Sequence, residues 1–177
     1  MKTFGGPAVF LDRSDINTDE IIPAKYLTEI SKTALQPHLL EDLLIDGRPF
    51  ANDSTAMQQA EVIVSRKNFG CGSSREHAVW AFEVNDINLI IAESFARIFR
   101  QNMFNCGILA VELPGRDIDA LFAMKGAVTI AVDIDGEVLT ASSSVTDDQM
   151  RCSFSLNPFD RELISAGGWL AYADQKF

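Results

Sequence analysis

EVIVSRKNFGCGSSREHAVWAFEVNDINLIIA, residues 61–92, holds two short apolar runs with a helical pattern between them. Val62-Ile63-Val64 and Asn88-Leu89-Ile90-Ile91-Ala92 predict strands, and the residues from about Ser74 to Val84 predict a helix. Runs that are apolar at every position, without alternation, are those of strands buried on both faces. A crossover helix of this length suits a parallel pair with the usual right-handed connection. The unit repeats directly: Phe95, Ile98, Phe99, Met103 and Cys106 recur at helical spacing, Gly107 stops the helix, and Ile108-Leu109-Ala110-Val111 predicts the next strand.

Upstream, Ala8-Val9-Phe10-Leu11 predicts a first strand, ended by Asp12-Arg13-Ser14-Asp15, with Ile16-Asn17-Thr18-Asp19 continuing as loop. Leu35 to Leu44 has helical character, and Asp46-Gly47-Arg48-Pro49 and the polar Asn52-Asp53-Ser54 extend it into a surface excursion. Downstream come a helix around Asp117 to Met124, a strand at Val128 to Val132, a turn at Asp135-Gly136, a strand at Glu137 to Thr140, and a helix near Pro158 to Ala166. No repeat, low-complexity tract or linker interrupts the pattern. The expectation is one α/β unit over residues 1–177, with a central, largely parallel sheet and flanking helices.

A net charge of −10 opposes binding to a phosphate backbone, so nucleic acid is not expected as a partner. Neither a signal peptide nor a run of about 18 apolar residues is present, which predicts a cytoplasmic protein without a membrane span. Cys71, Cys106 and Cys152 are odd in number, far apart and free of any Cys-x-x-Cys pair. They signal neither a disulfide framework nor a zinc site, and they do not fit the ligand pattern of an iron–sulfur cluster. Reduced, mostly buried thiols are expected, with no metal bound by this chain.

The chemistry concentrates where the first strand–helix unit turns, at Arg66 to Ala78. Gly70 and Gly72 allow close backbone approach. Free amides at a helix start favour a carboxylate or phosphate, and Arg75 adds a bidentate donor. Ser73 and Glu76 also match a capping box, in which hydroxyl and carboxylate merely satisfy backbone amides, and the spacing leaves both readings open. Arg75 stands where a dinucleotide fingerprint needs its third glycine, which disfavours nucleotides. The helix start is also placed to lower the thiol pKa of Cys71. His77 is expected to be satisfied by a local hydrogen bond and is given no catalytic role. Arg97 and Arg100 flank the apolar stripe as solvated residues or as contacts for a partner.

Asn68-Phe69-Gly70-Cys71-Gly72-Ser73-Ser74-Arg75-Glu76-His77-Ala78 resembles the signature of the aconitase superfamily's swivelling domain, as carried by the isopropylmalate dehydratase small-subunit family. Asp15 to Ala24 resembles the family's N-terminal motif, and Ala92 to Phe99 with Asn102, Asn105, Cys106 and Gly107 resembles its third block, in the expected order. The resemblance runs from about Phe10 to Leu113 and more loosely to the end. It implies a swivelling β/β/α domain that works with a large subunit carrying a [4Fe–4S] cluster, as a heterodimer or heterotetramer, on a small dicarboxylate. It further implies that Ser73 is the base, that Arg75 binds a substrate carboxylate, and that Asp19 sits at the site's edge. Gly72, Ser74 and Thr18 are implied substrate-binding residues, although Thr18 and Asp19 could also simply shape an Asx-type turn, a reading that suits Thr18 equally well.

By the same resemblance, the loop after Pro23-Ala24-Lys25-Tyr26-Leu27 reads the substrate's third substituent. Thr28-Glu29-Ile30 stands there without an arginine, which favours isopropylmalate over the tricarboxylate of a homoaconitase. The polarity of Thr28 leaves a dimethylmalate dehydratase open. A stand-alone anion-binding module, using the same amides without chemistry, is the alternative from another class.

Overall fold

A computed structural model describes residues 2–177. Strands β1 (Gly5–Phe10), β4 (Val62–Val64), β5 (Leu89–Ala92) and β6 (Leu109–Glu112) form the parallel part of a 7-stranded sheet; β2 (Leu44–Ile45) and β3 (Arg48–Pro49) make a separate small hairpin. Every residue of β4 and β5 is buried, as their uninterrupted apolar runs require. The sheet order is β6-β5-β4-β1, continued past β1 by three antiparallel strands, β7 (Val128–Asp133), β8 (Val138–Ser143) and β9 (Gln149–Ser153). The sheet is therefore mixed, parallel at its centre and antiparallel on one wing.

The helices are α1 (Thr18–Ile21), α2 (Thr55–Gln59), α3 (Glu76–Glu83), α4 (Arg97–Asn105), α5 (Gly115–Phe122), α6 (Pro158–Ala166) and α7 (Trp169–Lys176). α3 links β4 to β5 and α4 links β5 to β6, as the repeated pattern predicts. Ala78, Val79, Ala81 and Phe82 of α3 are buried, as are Phe99, Met103 and Phe104 of α4. Phe82 and Phe99 meet Phe69 with ring centroids 6.0 and 5.7 Å apart, so one buried aromatic ring beneath the glycine turn ties the two helices together.

Four details differ from the sequence expectation. Thr18 and Asp19 begin α1 rather than continuing a loop. Asn17 caps this helix, with its Oδ1 accepting from the Glu20 amide at 2.9 Å and Glu20 accepting in return from the Asn17 amide. The excursion after Leu27 is built of tight 3-10 turns over Lys32–His38, followed by the short hairpin, and Ser54 caps α2. β9 and α7 were not expected at all. Arg100 is not simply solvated: it donates to Asp160 at 2.9 Å, a carboxylate only 5% exposed that anchors α6 to α4.

Candidate active site

β4 ends at Val64, and the chain then turns across the carboxyl edge of the parallel strands before entering α3, the position at which open α/β sheets place ligands. Three stretches distant in sequence converge there. The Thr18 amide donates to the Cys71 carbonyl at 2.9 Å, and the Gly70 amide donates to the Ile16 carbonyl at 2.8 Å, which sews the N-terminal motif to the glycine turn. The Phe69 amide donates to the Ser94 carbonyl and the Ala96 amide to the Phe69 carbonyl, both at 3.0 Å, which sews the turn to the third motif. Ser94 also accepts through Oγ from the Asn68 amide at 2.8 Å. Asn68 and Ser94 thus shape the site, although neither was singled out from sequence. Asn68 has a positive φ of 55°, which asparagine tolerates well, and that tolerance was the available signal.

The two glycines do different work. Gly70 has φ +82°, and a Cβ placed on it would lie 2.2 Å from Cγ of Phe99, a severe clash. Gly72 has φ +95° and faces Asn17 and Thr18 with ordinary space around it, so there the requirement is conformational rather than steric. This reversal of the backbone bears on the capping reading of Ser73. α3 begins at Glu76 with Arg75 as its N-cap and no capping side chain. The Arg75 amide bonds back to the Ser73 carbonyl at 2.9 Å, closing a tight turn ahead of the helix. Ser73 is therefore not the N-cap, and the Ser73–Glu76 capping box does not form; the capping box of this site is Asn17 with Glu20. Ser73 is exposed, and its hydroxyl has no protein hydrogen bond among the described residues.

Arg75 is half-buried and donates through Nη1 to Asp19 Oδ1 at 3.2 Å. Thr18, 3% exposed, backs the turn from within. Ser74 and Gly72 border a shallow cavity of about 260 Å³ completed by Gly70, Ala96, Arg97, Ile98 and Phe99. Arg97 thus lies beside the turn, at the mouth of this cavity. Larger clefts of about 550 and 700 Å³ lie elsewhere, the first at Glu61, Asn88 and Ile108, the opposite end of the parallel strands. This small cavity is open to solvent, and Ser73 and Arg75 stand on the same turn as its lining residues Gly72 and Ser74. Thr28 is exposed and shares no hydrogen bond with Ser73–Arg75 among the described residues; the carbonyl of its neighbour Glu29 faces His77 of α3 at 3.3 Å. The partner of His77 is therefore distant in sequence and not the local one expected.

Arg13 pairs with Glu20 through two guanidinium nitrogens, and the Arg13 side chain also donates to the carbonyls of Asp15 and Leu44. Burial works against the charge on Glu20, but the hydrogen bonds from Arg13 and from the Asn17 amide outweigh it and hold the carboxyl below its ordinary value of 4.5. Because the folded value lies below the unfolded one, this stabilisation is complete above pH 4.5 and is lost as pH falls through the folded value. Glu20→Gln should therefore lose more stability near neutral pH than in acid, when urea midpoints are compared across that range. An equal loss at both ends would contradict the assignment.

Burial, and after it the carboxylate of Asp15, push the Cys71 thiol up. The expected lowering does not occur, because Cys71 precedes the start of α3 by a full turn of loop and faces the acidic N-terminal motif instead. Burial also pushes Cys106 and Cys152 up to about 11. The three cysteines stand on separate elements, and among the described residues no group of three or more His, Cys, Asp or Glu is placed to hold a metal ion. Among the described residues the cysteines are not gathered as the thiolate ligands of a [4Fe–4S] cluster would be.

The fold and site define an α/β domain with an open glycine-rich turn, carrying Ser73 and Arg75, at the carboxyl edge of its parallel strands. The chain belongs to the aconitase C-terminal domain family, whose model matches residues 1–116. It is similar to the 3-isopropylmalate dehydratase small subunit of Roseobacter denitrificans, with 38% identity covering 93% of this chain and 84% of that one. The 3-isopropylmalate dehydratase small subunit of Novosphingobium aromaticivorans is 35% identical, with 94% of this chain and 80% of that one covered. Among solved structures, the 3-isopropylmalate dehydratase of Methanocaldococcus jannaschii matches with a TM-score of 0.75 at 29% identity, over 99% of this chain and 95% of that one. Among the described residues, no helix is long and apolar enough to cross a membrane.

Proposed function

We propose that this chain is the small subunit of a 3-isopropylmalate dehydratase, a hydro-lyase subunit that acts in leucine biosynthesis only when joined to a large iron–sulfur subunit. It works as one swivelling unit over residues 1–177, in the cytoplasm, on a small dicarboxylate. The observation that carries the reading is the exposed hydroxyl of Ser73, without a hydrogen bond among the described residues, on the same turn as Arg75.

In this reading Ser73 Oγ, as an oxyanion, takes the proton from the carbon alpha to a substrate carboxylate. A serine hydroxyl is far too weak an acid for this unaided. The amides around Gly72 and Ser74, the charge of Arg75 and exclusion of water by the partner stabilise the oxyanion. Arg75 binds a substrate carboxylate. Its exposed pair with Asp19 is weak enough to open or be shared when that carboxylate arrives. Asp19 thus keeps the guanidinium aimed until substrate comes, and Thr18 holds the turn from below. Lewis-acid activation of the departing hydroxyl is the chemistry that a cluster held by the partner supplies.

Thr28 belongs to the loop that meets the variable substituent of the substrate. Thr28→Arg should move preference toward a malate bearing an additional carboxylate by about tenfold in relative kcat/KM, assayed in the reconstituted complex. Unchanged relative kcat/KM would remove the loop from substrate selection. Dimethylmalate and homoaconitate belong in the same assay. A stand-alone anion-binding module would instead bind small dicarboxylates tightly in calorimetry of the isolated chain, where half of a shared site should bind weakly.

A further inference from the structure

Residues 27–33 leave the body of the fold between two 3-10 turns, and Ile30 at their tip is 98% exposed. Apart from local turns, in which the Leu27, Glu29 and Ala34 amides bond three residues back, few bonds hold this segment in one place. Beyond residue 33, Asn85 donates to the Gln36 carbonyl at 3.0 Å and the Leu40 amide to the Ile21 carbonyl at 2.8 Å, so the far end is anchored. The near end meets α3 through two residues. Lys32 pairs with Glu83 at 3.0 Å and lies 5.2 Å from the ring centroid of Trp80, but both charged groups are exposed, and such pairs contribute little. The other residue is His77, whose Nε2 stands 3.3 Å from the Glu29 carbonyl. Among the described residues, this is the one bond from α3 to the main chain of residues 27–33.

We infer that His77 is a positioning residue that latches the segment carrying Thr28 onto α3, and so sets its distance from Ser73 and Arg75. A carbonyl can only accept, so Nε2 carries the proton. The ring is itself held against Trp80, with centroids 4.6 Å apart, so the donor is aimed before the loop arrives. His77 lies two residues past Arg75 on the helix that Arg75 caps, and the carbonyl it grips belongs to the residue after Thr28. One imidazole therefore connects the anion-binding turn to the loop that meets the variable substituent. The latch itself follows from geometry alone. Its effect on substrate selection rests on the dehydratase reading.

Two variants separate the bond from the packing. His77→Phe keeps a ring against Trp80 but has no donor; His77→Gln places an amide nitrogen close to where Nε2 lies. In the full chain, trypsin cleavage after Lys32 should run about fivefold faster in His77→Phe than in the wild type, and return close to the wild-type rate in His77→Gln. In the reconstituted complex, His77→Phe should lower the kcat/KM ratio of 3-isopropylmalate to its 3-methyl analogue by about fivefold. The change should fall in KM with kcat nearly unchanged, and His77→Gln should restore the ratio. Cleavage of His77→Phe at the wild-type rate overturns the latch whatever the kinetics show. Faster cleavage with an unchanged ratio overturns its part in substrate selection. If the wild-type complex does not turn over 3-isopropylmalate, the dehydratase reading fails, and the proteolysis still decides the latch.

Discussion

Ser73→Ala is expected to reduce turnover of the reconstituted complex by about a thousandfold or more, while the two subunits still associate as before. Three features of the site lead to this expectation. The hydroxyl is exposed and has no hydrogen bond among the described residues, so its removal leaves no buried group unsatisfied and should cost the fold almost nothing. The backbone reversal at Gly72 and the turn closed by the Arg75 amide present the side chain outward, ahead of α3. The neighbouring guanidinium of Arg75 is the one positive group among residues 70–75. A variant that keeps near-normal rates would remove Ser73 as the base, and the wild-type melting temperature of Ser73→Ala would show that any loss is chemical.

Gly70→Ala is expected to have the largest effect on stability, about 3 kcal/mol or more, from a left-handed backbone imposed on an L side chain together with overpacking. At φ +82° the new methyl would enter the space of the Phe99 ring, and that ring contacts Phe69 and Phe82 in the centre of the molecule. Phe99 has little freedom to rotate away, because it is 2% exposed and its ring meets those of Phe69 and Phe82. For a chain of this size the change corresponds to a fall of roughly 6–12 °C in Tm. A fall of less than about 2 °C would mean that the turn can rearrange without strain. Gly72→Ala meets only ordinary contacts and should cost less, so the pair distinguishes crowding from backbone conformation.

The centre of the fold was legible because its strands and helices carry opposite patterns. Val62–Val64 and Leu89–Ala92 are apolar without a break because both faces are covered, and the crossover helices bury one stripe each. The periphery gives weaker signals. Gln149–Ser153 is an edge strand whose only buried residue is Cys152, so its alternation is nearly lost among polar residues. α7 buries none of its residues and leaves Leu170 80% exposed, which erases the one-sided pattern that announces a helix.

At the site, Asn17-x-x-Glu20 and Ser73-x-x-Glu76 match the same capping pattern equally well. Only the first forms, because the positive φ of Gly72 and the turn behind Arg75 move the start of α3 beyond the reach of Ser73. A local pattern could not foresee a choice made by the backbone around it. The pairing of Asp19 with Arg75, and of His77 with the Glu29 carbonyl, joins residues some fifty positions apart and belongs to the tertiary fold. The behaviour of Cys71 has the same origin, since the carboxylate of Asp15 that faces it comes from the N-terminal motif.

Titration of this chain into a fixed amount of its iron–sulfur partner, with turnover of 3-isopropylmalate as the readout, tests the shared-site account most directly. The account predicts no turnover by this chain alone, and a rate that rises until the subunits are equimolar and then stays level. Turnover by the isolated chain, or a rate that does not respond to its addition, would contradict it.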